Sequence, residues 1–204
     1  SAASDVYKRQ HKACAEESDT KYFYVCDADA WIQPNFQFKF EPSNQKEAYP
    51  GVKETECVFT YRSHNPVNDL IYGYGAVKLF PKKNLLDVKE FKVDMTTSIG
   101  AKFKPLFEIS NVTAFNTDPF NTWRSAFREC TKLASGIVDH NKQTDDYYRL
   151  QVWCERGDNR RYGDYAILGA QQGRDFGEHY KGNVEALRKI NDWNWLKETF
   201  NEAL

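Results

Sequence analysis

The run KYFYVCDADAW (residues 21–31) places five apolar residues in a row and then two aspartates separated by one alanine. Tyr22–Cys26 is short, aromatic and β-branched, and bounded by polar residues, so it predicts a buried strand. Ending such a strand in carboxylates is costly unless something offsets their charge. Asp27 and Asp29 alternate with Ala28 and so project to the same side of the strand tip. In open α/β sheets that carboxyl end is where ligands bind. Hard divalent cations take oxygen ligands, and magnesium or manganese sites combine one or two carboxylates with substrate phosphates. The spacing therefore points to Mn2+ or Mg2+ and a diphosphate. The competing explanation is a turn in which the aspartates cap backbone amides.

The chain has 204 residues, 41% apolar and 15% aromatic, enough for a sizeable core. Its net charge of −1 does not by itself indicate a nucleic-acid binder. A basic patch for DNA would have to come from local runs such as KLFPKK and ERGDNRR. The five cysteines are odd in number and never form a CxxC pair, which argues against a disulfide framework or a zinc knuckle. No apolar run approaches the roughly 20 residues of a membrane span. The expectation is a soluble cytoplasmic protein with no membrane partner. The opening SAASDVYKRQ resembles translated adapter sequence, so residues 1–10 are expected to be a non-native tail and 11–204 a single domain.

HKACAEESDT reads as a short helix with Ala13, Cys14 and Ala15 on its inner face. FQFKF alternates before a loop, ECVFTYRSH reads as a second strand, and YGYGAVKLFPK as a third entered through Gly73 and Gly75. The clearest helix begins at Asp118, a good N-cap, with Pro119 at its first position. Trp123, Phe127, Cys130, Ala134 and Ile137 form its expected buried stripe. DDYYRLQVWCERG is a second helix, and YGDYAILGAQQGRDFGEHYKG a short helix and loop. The last segment is helical, with Leu187, Ile190, Trp193, Leu196 and Phe200 inward. The fold class is α/β.

The segments TKYFYVCDADAWI, YRSHNPVNDLIYGYGAVKLFPK, DMTTSIG, ISNVTAFNTDPFNTWRSAFRECTKLASG and RYGDYAILGA together resemble the TET/JBP-associated glycosyltransferases of phages and some eukaryotes. The likeness runs from about Ala13 to Phe200. It implies a GT-A, Rossmann-like mixed sheet flanked by helices, and transfer of a sugar from a UDP-sugar to a hydroxymethylated pyrimidine in DNA. Such folds begin with a strand that cradles the nucleotide, so the resemblance also implies that the first strand is missing. Under it, Asp27 and Asp29 bind the metal, with His179 as a further ligand and Lys181 holding the leaving diphosphate. Asn65, Asn68, Tyr72, Gly73 and Gly75 run beside donor and acceptor, and Trp123 and Arg124 shape the acceptor side. Asp118 or Asp94 supplies the base that an acceptor hydroxyl needs. Arg124 and Arg128, one turn apart, form a possible phosphate clamp, with a solvated helix face as the alternative. Two other classes stay open: a nucleotidyl- or pyrophosphate-handling enzyme, and a non-catalytic sugar- or DNA-binding module.

Overall fold

The computed structural model describes residues 2–88, 99, 101–137 and 143–203. Those residues form two compact units. The first comprises residues 1–64 and 71–113, and the second 65–70 and 114–204.

The first unit is built on helix α1 (Ala2–Glu17) and strands β1 (Tyr22–Cys26), β2 (Ala30–Ile32), β5 (Cys57–His64), β6 (Ile71–Pro81) and β7 (Lys102–Thr113). A small hairpin, β3 (Glu47–Tyr49) with β4 (Val52–Lys53), and a short helix α2 (Lys82–Leu86) complete it. The main sheet runs β1-β6-β5-β7-β2. Only β5 and β7 pair in parallel; β1–β6, β5–β6 and β2–β7 are antiparallel. This mixed sheet with helices is compatible with a Rossmann-like α/β fold. Because β1 and β5 both oppose β6, strands β1, β5 and β7 share one direction.

That sheet cannot be flat. Its outermost strands, β1 and β2, would stand about 19 Å apart across four strand spacings. Yet Cys26 and Ala30 are joined by four residue steps, which reach at most about 14 Å. The sheet therefore coils until the Asp27–Ala30 turn can bridge its edges. Bulges between Thr60 and Arg62, in the pairings of β5 with both β6 and β7, supply the bend.

Each face of the sheet is covered differently. Val58 and Phe80 pack with Ala15 and Leu85, so α1 and α2 lie on one face. On α1 the inner residues are His11 and Ala15, one turn apart, while Ala13 and Cys14 are exposed, contrary to the expected inner face. The opposite face carries Phe59, Tyr61, Val77 and Leu79. An irregular segment covers it: the alternating FQFKF is not a strand. Phe38 has φ of 52°, which interrupts the alternation, while Phe36 packs 4.7 Å from Tyr61 and Phe40 4.7 Å from Phe59.

The second unit contains α3 (Pro119–Ser135), α4 (Gln143–Glu155), α5 (Gly163–His179), α6 (Val184–Leu187) and α7 (Trp193–Glu202). Helix α3 starts at the Asp118 cap, and Gly136, at φ of 66°, terminates it, so Ile137 falls outside the helix. Its buried side is Trp123, Ala126, Phe127 and Cys130. Helix α5 is 17 residues long, not the short helix and loop expected for this segment. Its glycines act as contacts rather than breakers. A Cβ at Gly169 would lie 2.3 Å from the Trp123 carbonyl oxygen, one at Gly173 2.3 Å from that of Phe127, and one at Gly177 2.6 Å from that of Thr131. Their four-residue spacing forms a groove that lets the two backbones meet. Leu187, Ile190, Leu196 and Phe200 are buried as expected, but Trp193 is exposed.

Candidate functional site

Asp27 and Asp29 sit in the turn that leaves β1. The Asp27 amide donates to the Ala76 carbonyl of β6 (2.7 Å), and the Ala30 amide donates back to the Asp27 carbonyl (3.0 Å), closing a four-residue turn. The Asp27 side chain is partly buried and that of Asp29 exposed. Lys78 Nζ lies 3.5 Å from Asp27 Oδ2. Register explains this contact: Lys78 is opposite Val25, and Asp27 follows two residues on, so the two reach each other diagonally on one face. Lys78 was not a sequence candidate, and strand pairing is the only signal that could have found it. Burial and the adjacent Asp27 push the Cys26 thiol above its usual range, with Lys78 acting against them.

Beyond the bulges at Thr60–Arg62 the sheet continues to the carboxyl ends of β5 and β7. His64 is opposite Ile71 on β6 and Val112 on β7, and Val112 is opposite Trp31 on β2. One row thus runs Ile71, His64, Val112, Trp31. Beside it Arg62 places its guanidinium 4.7 Å over the ring of Phe107, itself 82% exposed. Tyr72 and Gly73 pair with Ser63 and Arg62, and Gly75 follows in the same strand. On the opposite face, Ser63 Oγ donates to Asn111 Oδ1 (3.0 Å) in a buried polar cluster with Ser110.

The first unit also holds a cavity of about 790 Å³, lined by Lys21, Lys82, Lys83 and Lys102 with Glu56 and Asp87. It lies at the amino end of β1, away from the paired aspartates. Ligand sites in open α/β sheets form at the carboxyl ends of strands, so the aspartate turn is the stronger candidate.

The other sequence candidates belong to the second unit. Asn65 Oδ1 accepts from the Val67 (2.9 Å) and Asn68 (3.3 Å) amides, and Asn68 Oδ1 accepts from the Leu70 amide (3.2 Å). Both side-chain carbonyls thus fold their own loop, while Asn68 Nδ2 is buried without a partner. Asp118 Oδ1 accepts from the Asn121 amide (2.8 Å), and Oδ2 accepts from Thr117 Oγ1 (3.1 Å) and from Asn121 Nδ2. Burial raises the Asp118 carboxyl, but these bonds outweigh it and hold it below its usual range. Trp123 is wholly buried and donates from Nε1 to Gln172 Oε1 (2.7 Å). Arg124 stacks 4.6 Å over Trp193, and Arg128 Nη2 donates to Asn191 Oδ1 (2.9 Å). These arginines staple α3 to the following helices, rather than forming a solvated face. His179 ends α5, exposed, its ring edge-on to Tyr180 at 4.5 Å, and Lys181 is exposed. Asp94 lies outside the described residues.

Among the described residues, no three His, Cys, Asp or Glu side chains gather into a metal-binding group. The two carboxylates of the aspartate turn still suit a hard cation, which can complete its shell with phosphate oxygens and water. No described helix is long and apolar enough to cross a membrane. Compared with protein-family models, curated proteins and solved structures, the chain matches none.

Proposed function

We propose that this chain is a metal-dependent glycosyltransferase that moves a sugar from a UDP-sugar to a hydroxymethylated pyrimidine in DNA. One observation carries the reading. A turn bearing Asp27 and Asp29 leaves the carboxyl end of β1 and leads into β2, which pairs with the carboxyl end of β7, with Asp29 exposed and the Lys78 ammonium 3.5 Å from Asp27. Asp27 and Asp29 would hold Mn2+ or Mg2+, which neutralises a diphosphate leaving group. Lys78 limits the charge repulsion between the carboxylates before the ion and substrate arrive. A base must take the acceptor hydroxyl's proton, and a good one has a pKa near the working pH. Asp118, whose capping bonds hold its carboxyl below the usual range, and Asp94 are the two candidates for that base.

A second reading is favoured by the Lys78–Asp27 contact, in which the chain supplies its own cation: a sugar- or DNA-binding module without catalysis. Calorimetric titration of UDP, with and without manganese, separates the two. The enzyme reading expects manganese-dependent binding that an Asp27→Asn/Asp29→Asn double variant loses. Binding indifferent to manganese and to the substitutions supports the module. No UDP binding under any condition sinks the nucleotide-sugar reading.

A further inference from the structure

Trp31 is 70% exposed, although it lies in a strand two residues beyond Asp29. Tryptophan carries one of the largest apolar surfaces of any side chain and is highly buried on average. Isolated exposed apolar residues are common, so exposure alone decides nothing here. Three further observations do. The strand register puts Trp31 in one row with Val112 and His64, at the carboxyl ends of β5 and β7. No ring or cation contact covers its indole among the described residues, whereas exposed Phe107 has the Arg62 guanidinium over it. And β2 is so short that the indole's neighbour along the chain is the aspartate turn itself.

The geometry points to Trp31 as a stacking platform for the pyrimidine ring of a nucleotide whose phosphates lie toward Asp29. This rests on the nucleotide-binding reading of the aspartate turn and names the group that the same site recognises beside the phosphates. An uncovered aromatic face is the surface on which proteins hold unpaired bases, because every base offers a π-face. Two nucleotides could present that ring: the donor's uridine, or an acceptor pyrimidine turned out of its stack. The spacing fits either, since two residues of strand place the indole about 7 Å from the Asp29 position.

The test compares the full chain with Trp31→Ala and Trp31→Phe. It uses three probes: UDP with manganese, inorganic pyrophosphate with manganese, and a short single-stranded oligodeoxynucleotide containing 5-hydroxymethylcytosine. Pyrophosphate reads the aspartate turn without any base. Losing one base–aromatic stack should weaken binding of a ring-bearing probe by about 5-fold to 100-fold. The expected result is that loss in Trp31→Ala for UDP or for the oligonucleotide, most of it restored in Trp31→Phe, with pyrophosphate binding unchanged. Whichever ring-bearing probe responds identifies the source of the ring. If neither weakens while pyrophosphate still binds, the platform is overturned and the metal-diphosphate reading survives. Equal weakening of pyrophosphate also overturns it, by showing that Trp31 only shapes the turn. Failure of the unsubstituted chain to bind UDP and oligonucleotide overturns both. Melting temperatures confirm that the variants fold.

Discussion

The two units use their polar residues in opposite ways. In the helical unit they serve the fold. Asp118 caps a helix, Asn65 and Asn68 tie a loop, Arg124 lies on Trp193, and Arg128 bonds Asn191. In the sheet unit, register brings Lys78 to Asp27 and puts His64 and Trp31 in one row. A helix places a polar side chain wherever its 3.6-residue repeat falls, and close neighbours on other helices can reach it. A strand sends every second residue to the same face, so separate strands can pool side chains at one end. The difference directs the search for chemistry to the sheet unit, even though more of the sequence candidates lie in the helical one.

The largest effect should come from the helix contact. Gly173→Val places a branched side chain where a Cβ alone would stand 2.3 Å from the Phe127 oxygen and 2.8 Å from its Cα. Overpacking against backbone should cost about 3 kcal/mol or more, lowering the melting temperature by about 10 °C. Pyrophosphate binding with manganese, measured well below that melting temperature, should survive, because the aspartate turn belongs to the other unit. Its loss would break the comparison.

A smaller effect sharpens the role of Asp118. If it only caps, Asp118→Ala costs about 1 kcal/mol, while Asp118→Asn, an equally good cap, is nearly silent. Transferase activity lost in Asp118→Asn with stability intact would instead make it the base. The carboxylate's contribution has a pH window. Its folded pKa is depressed, so the stabilisation is present above the ordinary value near 3.8 and is lost as pH falls through the lower folded value. Urea titrations of the parent, matched by Asp118→Asn near neutral pH, should therefore fall below those of the variant in strong acid.

The smallest effect reads the Asp27–Lys78 pair through Cys26, an exposed thiol. Asp27 raises its pKa and Lys78 lowers it. Alkylation of Cys26 by iodoacetamide at pH 8 should therefore speed up in Asp27→Asn and slow in Lys78→Met, by a few-fold each, because the thiolate reacts. Unchanged rates in both would show that the pair does not persist in solution.

Much of the local structure was legible. The Tyr22–Cys26 strand, the strands at Cys57–His64 and Ile71–Pro81, and the Asp118 cap with Pro119 all follow from residue type and period. The misreadings share a cause. The segment from Gly163 reads as a short helix and loop until the partner helix backbone is seen against Gly169, Gly173 and Gly177. Phe36, Phe38 and Phe40 alternate like a strand, but no neighbouring strand takes up their backbone, and Phe38 turns left-handed. Ala13 and Cys14 are small and apolar enough for a core, yet His11 and Ala15 are the pair that faces the sheet.

By itself the sequence determined where strands and helices begin, and that two carboxylates stand at the tip of a buried strand. Those properties depend on neighbours in the chain, through backbone sterics, capping and hydrophobic period. Tertiary structure alone decided which side chains share a face with those carboxylates. Lys78 reaches Asp27 from another strand, and His64, Val112 and Trp31 meet in one row from three strands, because pairing register, which shifts every side chain to the other face when it slips by one residue, is settled only when the sheet assembles.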